Sequence, residues 1–381
     1  MVGGRGERDQ AYRPFVSILI PALDEARVIR KTVEAFVRQD YPRFEVIVID
    51  DGSTDQTPHV LWLLQQQYPE LRVLRRELTD ERGKPAALND ALKIAKGEVI
   101  AVFDSDTRVD RDFIRTVVPY LKGRKVAGVQ TMVRMYNKNT NLWTMVQDTE
   151  FAIYCSVIQA GRDRMRGYCG LGGNGQFVKR RMLEAVGGWR TGTLAEDFDL
   201  SLELMEAGYR IRYVGATVEQ EAVVGFGRLW RQRTRWSQGG LQTTLHHFKR
   251  VLLSRNIKWW TKLDTLYVFS TTVQPPIMLA SFLLTGFTVW HRLQHWTGFH
   301  MHWANLPMLL AYILFITVGF LKGNPRSWLW VWFQVPAYYV YSLMWPFLYI
   351  WSASMYFAKR GKGIAWAKTE HLGDSNTSIS A

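Results

Sequence analysis

Acidic side chains gather where apolar runs end. Phe44 to Asp51 reads FEVIVIDD and continues into Gly52-Ser53-Thr54-Asp55. A strand that closes on paired Asp50 and Asp51 and turns sharply into a helix puts carboxylates at the carboxyl edge of a sheet. There they can accept hydrogen bonds from a nucleobase imide and a ribose. Helix capping explains Ser53 or Asp55, but not the pair. Glu98 to Phe103 likewise runs into Asp104-Ser105-Asp106. Two acids one residue apart at a strand tip can reach a divalent cation, Mn²⁺ or Mg²⁺, that also bridges two phosphates.

Farther on, Leu194 to Leu200 reads LAEDFDL and opens a helix. Acids in a first helical turn complement the helix dipole. The sharper reading makes Asp197 a general base for a hydroxyl proton, with Glu196 as its nearest substitute, while a metal and cationic side chains stabilise a departing diphosphate. Arg231-Gln232-Arg233-Thr234-Arg235-Trp236 supplies such cations. An Arg can clamp a diphosphate and an indole can stack on a sugar ring, and the same segment reads as a basic amphipathic helix on a membrane. Gly170 to Gly175 satisfies G-x-G-x-x-G, yet it follows no clear buried strand and has no acid about 20 residues on in a second strand. A loop permitting close backbone approach to a sugar fits it better.

The elements that must position these groups alternate at βαβ spacing. Phe15 to Pro21, Phe44 to Asp51 and Glu98 to Phe103 are short apolar runs of the kind buried parallel strands have. Helical patterns span Glu25 to Val37, Gln56 to Gln67 and Pro85 to Ala95, the last with proline in its first turn. The expectation is an α/β domain, a mostly parallel sheet with helices on both faces and ligands at the carboxyl ends of the strands.

The second half has a different character. Of 34 acidic residues, only Asp264, Glu370 and Asp374 lie beyond Glu221, and 13 of the 16 tryptophans fall there. The net charge of +14 is largely its property. Bases beside apolar runs and tryptophans match anionic headgroups, not nucleic acid. Asp264 to Trp290, Ala304 to Leu321 and Trp328 to Ala358 are candidate transmembrane segments. Pro275 and Pro276 interrupt the first, so its start is expected along the interface, and either one segment is expected to be re-entrant or the third to bend back near Pro346. The start of the chain is polar, without a signal-peptide core. Cys155 and Cys169 lack metal-ligand spacing and make no disulfide framework, which points to a reduced, cytoplasmic domain.

Taken in order, these pieces resemble the membrane-bound branch of glycosyltransferase family 2, over roughly Phe15 to Lys262. That branch includes cellulose, hyaluronan, chitin and poly-N-acetylglucosamine synthases and bacterial glucosyl-diacylglycerol synthases. The resemblance implies a GT-A fold. It also implies that Asp51, with Asp50 and Glu25, serves the nucleotide, that Lys84 lies near the donor, and that Asp104 and Asp106 serve donor phosphates and metal. Asp197 is implied as base, with Gln232, Arg235 and Trp236 closing over diphosphate and acceptor, and Gly173 and Asn174 on the acceptor side. Two positions depart from the family pattern: Asp24 stands for the Asn of P-x-x-N-E, and Ala195 for the Thr of T-E-D.

The organisation expected is a polar segment (1–13), a catalytic domain (14–221), a basic amphipathic interfacial segment (222–263), a transmembrane region (264–358) and a basic then polar tail (359–381). The resemblance implies a multi-pass plasma-membrane enzyme with its catalytic domain in the cytoplasm. It would transfer a hexose from a UDP-sugar to a lipid such as diacylglycerol. A processive polysaccharide synthase, helped by a partner or homo-oligomer, and a non-catalytic sugar-nucleotide sensor are the alternatives.

Overall fold

The computed structural model describes residues 11–77, 81, 83–271, 274–294, 305–323, 331–358 and 373. Most of the polar start and nearly all of the basic tail lie outside the described residues.

The catalytic half is built as β1 (Val16–Ala22), α1 (Ile29–Val37), β2 (Phe44–Asp50), α2 (Thr57–Gln67), β3 (Leu71–Arg75), α3 (Lys84–Ile94), β4 (Val99–Val102), α4 (Phe113–Val117), β5 (Val126–Met135), α5 (Leu142–Ile153), α6 (Ala160–Met165), β6 (Gln176–Lys179), α7 (Arg180–Ala185), α8 (Glu196–Glu206) and β7 (Arg210–Gln220). A π-helical turn, Tyr154–Gln159, joins α5 to α6. Period-two alternation sorts the sheet's side chains. Ile18, Ile20, Val46 and Val48 pack with α1, α2 and α4 on one face. Leu19, Ile47 and Ile49 pack with α3, α7 and α8 on the other. The expected layer of helices on each face is therefore present.

The strands lie in the order β3-β2-β1-β4-β6-β5-β7. Pairings of β1 with β2 and β4, β2 with β3, and β5 with β7 are parallel. The sheet is nonetheless mixed, because β6 runs antiparallel to β4 and β5. The glycine-rich loop explains this: β6 begins beside the end of β4, with Gln176 opposite Val102, and must run back the other way. Strand order reverses between β1 and β4, which opens a crevice at their carboxyl ends. The sequence reading also lacked β3, whose alternating LRVLR has only its first residue buried.

Beyond β7 come α9 (Phe226–Leu253), α10 (Trp259–Ser270), α11 (Gln274–Gln294), α12 (Asn305–Gly323), α13 (Val331–Ser342) and α14 (Trp345–Ala358). Pro275 and Pro276 stand in the first turn of α11, where missing N–H donors do no harm. The Trp328 to Ala358 segment breaks at Leu343 and Met344, just ahead of Pro346. Among the described residues no helix is long and apolar enough to cross a membrane. α9 packs on α8, α10 and α14, and both α12 and α13 pack on α5.

Candidate active site

Lys84 opens α3 directly after Gly83, whose φ of +103° a side chain would strain. Its ammonium donates to Asp104 Oδ1 at 2.6 Å and to the Gly173 carbonyl at 2.8 Å, and lies 3.6 Å from Glu196 Oε1. Burial opposes its charge, but Asp104 and Glu196 outweigh that and raise its pKa above the ordinary lysine value. One cation thus joins the D-x-D loop, the glycine-rich loop and the start of α8.

Asp197 is half-buried beside it, accepting a 2.7 Å bond from the Phe198 N–H. Burial, together with the neighbouring Glu196 carboxylate, pushes Asp197 up to about 7 despite the opposing pull of Lys84. A pKa in that range suits a general base near neutral pH. Gly173 faces all three groups: a Cβ there would stand 3.1 Å from Lys84 Nζ, 3.6 Å from Asp197 Oδ2 and 4.0 Å from Glu196 Oε1. Any side chain at 173 would therefore crowd this space.

At the D-x-D loop the two acids differ. Asp104 is the more open, while Asp106 is buried and accepts from the Glu221 N–H at 2.6 Å. Each offers carboxylate oxygen of the kind a hard cation takes. Asn174 supports the loop from beneath: its Oδ1 accepts from Thr107 Oγ1 at 3.0 Å and from the Asp104 N–H at 3.4 Å, and its Nδ2 donates to Gln220 at 3.0 Å. Its amide is engaged by the protein through both its oxygen and its nitrogen.

On the nucleotide side, Asp51 is paired with Arg76 and accepts from the Gly83 N–H at 3.3 Å. Asp50 is buried and accepts from the Ser53 N–H at 2.9 Å, so its carboxylate fixes the turn. Asp24, the departure from the P-x-x-N-E pattern, has a structural part of its own. At φ +53° its Oδ1 accepts from the Thr54 N–H at 2.7 Å and the Asp55 N–H at 3.2 Å, holding the two loops together. Glu25 is buried next to it, its N–H donating to Thr57 Oγ1.

Gln232, Arg235 and Trp236 lie half-buried on α9. Burial lowers the Arg235 pKa, and the surrounding Glu196, Asp104 and Asp197 oppose that, which places its guanidinium on the same acidic cluster. Arg233 stands 4.2 Å over the Trp236 ring, fully buried, donating to Glu150 Oε2 at 2.6 Å. The helix is close-packed here, since a Cβ on Gly239 would lie 2.8 Å from Ala195 Cβ. This part of the 222–263 segment thus packs against the chain ahead of α8, with Arg233, Thr234 and Ser237 to Gly239 buried.

Residues 13–239 match the family model described as "Glycosyltransferase like family 2". The chain belongs to this family. A β-monoglucosyldiacylglycerol synthase of Synechocystis is 35% identical over 80% of this glycosyltransferase and 69% of the relative. The Nostoc protein of the same name is 38% identical over 71% and 59%. The chain thus spans between about three fifths and seven tenths of the length of these two relatives. In fold it is similar to the Pyrobaculum calidifontis mannosyltransferase PcManGT, solved in complex with GDP-Man and Mn²⁺, with a TM-score of 0.62, 22% identity, and coverage of 93% and 90% of the two chains. The catalytic domain is a GT-A-like α/β fold.

Sequence reasoning about this glycosyltransferase missed Arg76, the partner of Asp51, and Glu150, the partner of Arg233. A buried Arg reads like a surface one until its carboxylate is known. A further set of acidic and imidazole side chains, Glu203, His246 and His247, has ligand atoms within 4.8 Å of one another. It does not suit a cation. His247 meets Glu206 at 2.7 Å and Asp199 at 3.0 Å through its two nitrogens, and Arg250 lies 3.1 Å from His246 Nε2.

Proposed function

We propose that this enzyme transfers a hexose, with inversion, from a UDP-sugar to a membrane lipid acceptor such as diacylglycerol. The gathering of Lys84, Asp104, Glu196 and Asp197 around Gly173 supports this most directly. Asp51 and Glu25 hold the nucleotide. Lys84 and Arg235 meet the diphosphate as charge develops on it, Gln232 and Trp236 close over diphosphate and acceptor, and Gly173 leaves room for the sugar. Asp197 takes the acceptor hydroxyl's proton, which frees the oxygen to attack the anomeric carbon as the C–O bond to the diphosphate breaks. Asp104 and Asp106 fit a divalent ion, Mn²⁺ or Mg²⁺, which when bound neutralises the leaving phosphates.

The lipid acceptor is favoured by the named relatives and by apolar surface beside the site. Leu252, Leu253, Trp259, Trp260, Leu263 and Tyr267 are exposed on α9 and α10, among Lys258, Lys262 and Arg255. That is the composition of a bilayer interface. Exposed Leu283, Leu284, Phe287 and Trp290 on α11, with Phe347 and Trp351 on α14, support burying this region in the plasma membrane, with the catalytic domain on the cytoplasmic side.

The full chain, incubated in mixed micelles with diacylglycerol and a panel of labelled nucleotide sugars, should yield a single-sugar glycolipid by mass spectrometry. EDTA should abolish the product, and Mn²⁺ or Mg²⁺ should restore it. A ladder of polymer would favour the polysaccharide-synthase reading, and binding without turnover would favour a sensor. Full activity in excess chelator would remove the metal from the scheme.

A further inference from the structure

Asp264 is the only acid between Ala222 and Thr369, and it does not face the bases around it on the exposed side of α10. It points inward. Its Oδ1 accepts from Arg162 Nε at 3.1 Å and its Oδ2 from the Tyr168 N–H at 2.7 Å. One turn earlier, Thr261 Oγ1 donates to the Arg166 carbonyl at 3.2 Å. Gly167 is pressed against the same carboxylate, since a Cβ there would lie 2.5 Å from Asp264 Oδ2. α10 is therefore fastened at several points to the turn that ends α6.

That turn leads straight into the site. The Tyr168 ring packs edge-on against Phe198, the residue after Asp197, at 6.1 Å. The Gly170 carbonyl accepts from Gln159, the Leu171 N–H donates to Ser201 Oγ at 2.7 Å, the Gly172 N–H donates to Gln130 at 2.7 Å, and the Gly173 carbonyl receives Lys84. Six residues of loop thus run from the Asp264 carboxylate to the space between Lys84 and Asp197. α10 also exposes Trp259, Trp260, Leu263 and Tyr267.

We propose that Asp264 is a positioning residue: it fixes the entrance of the Tyr168–Gly173 loop to α10, so that the helix bearing the exposed tryptophans sets the acceptor side of the site. The acceptor part of this statement rests on the lipid-acceptor reading above; the fastening of the loop does not. An acid is needed because two donors, a guanidinium and a main-chain N–H, converge on one side chain, and an amide can satisfy only one of them without turning a donor toward a donor. Donor binding should be largely independent of the fastening, because Asp51 is held by Arg76 and the Gly83 N–H, and Asp106 by the Glu221 N–H, all outside this loop.

Two variants of the full chain test it. Asp264→Asn removes one acceptor oxygen, and Gly167→Ala wedges the same contact from the opposite side. In detergent without substrate, hydrogen exchange at the Leu171 and Gly172 amides should rise by roughly tenfold or more in both, while β1 and β2 keep their protection. The diacylglycerol KM should rise roughly tenfold, within what a displacement of about 1 Å can cost. The dissociation constant of the nucleotide sugar should stay within about twofold. Unchanged loop exchange in both variants overturns the proposal. So does a rise that spreads to β1 and β2 with a parallel loss of donor affinity, which would mark Asp264 as a general stabiliser. If the unaltered protein gives no lipid product, the acceptor reading fails while the exchange result still decides the fastening.

Discussion

Among single residues, Asp197 carries the sharpest consequences. A carboxyl raised to about 7 by burial beside Glu196 is largely protonated below that pH and cannot act as base there. The acid limb of kcat/KM should therefore fall near pH 7, and a limb below pH 5 would contradict the assignment. Asp197→Asn should reduce turnover by roughly 10² to 10⁴-fold while nucleotide-sugar affinity is kept. The stability effect has the opposite sign. Because the folded pKa lies above the unfolded value of 3.8, the folded state binds more protons between the two, so this group lowers stability as pH rises from about 4 to about 7. Asp197→Asn should accordingly melt no lower than the unaltered chain at pH 8, a loss of rate without a loss of fold. Asp51, Asp104, Asp106 and Asp197 could be picked from sequence because acids at the tips of apolar runs are rare and chemically costly. Arg76 and Arg233 could not, since only folding supplies the carboxylates that make them informative.

At the level of elements, α8 and α9 are clamped by a buried imidazole. His247 lies between Glu206 and Asp199, and Asp199 also pairs with Arg190. Burial opposes the imidazolium, but the Asp199 and Glu206 hydrogen bonds win and raise its pKa above 6.5. Asp199 is lowered, the His247 and Arg190 bonds outweighing its burial. The His247 contribution is fully present below the unfolded imidazole pKa and is lost as pH rises through the raised folded value. The Asp199 contribution is lost as pH falls below 3.8. Thermal melts should show a decline on the alkaline side that His247→Gln abolishes. Removing the imidazolium should also lower stability at pH 6, by less than the roughly 3–5 kcal/mol of an uncompensated buried charge, because Arg190 stays on Asp199 and Arg250 on Glu206. An unchanged melting profile would show that the clamp holds nothing. The pattern reading found α9 as a basic amphipathic helix, and within it Arg233, Thr234 and Ser237 to Gly239 are buried, because Gly239 lets the helix approach the chain before Glu196.

For the whole molecule the decisive question is where the protein meets lipid. Exposed tryptophans and leucines of α10 next to Lys258 and Lys262 should bind the interface even where no complete crossing is formed. Replacing Trp259, Trp260 and Leu263 together by Ser should reduce flotation of the full chain with vesicles containing anionic lipid, and high salt should deepen the effect. Equal flotation of the variant would shift the membrane contact wholly to α11 through α14.

The sequence by itself determined the strands that end in acids, the family, the D-D-G, D-x-D and E-D groups and the division between an acidic and a basic half. All of these are written in local periodicity and residue type, which a linear chain displays. Tertiary structure decided the rest. It turned β6 antiparallel, because the glycine-rich loop must deliver Gly173 beside Lys84. It also brought the Ser53 N–H to Asp50, the amide of Asn174 to the D-x-D loop and the carboxylate of Asp264 to the Tyr168 N–H. Which acid stays open to a substrate depends on the donors that long-range contacts bring to the others, and sequence spacing carries no record of those.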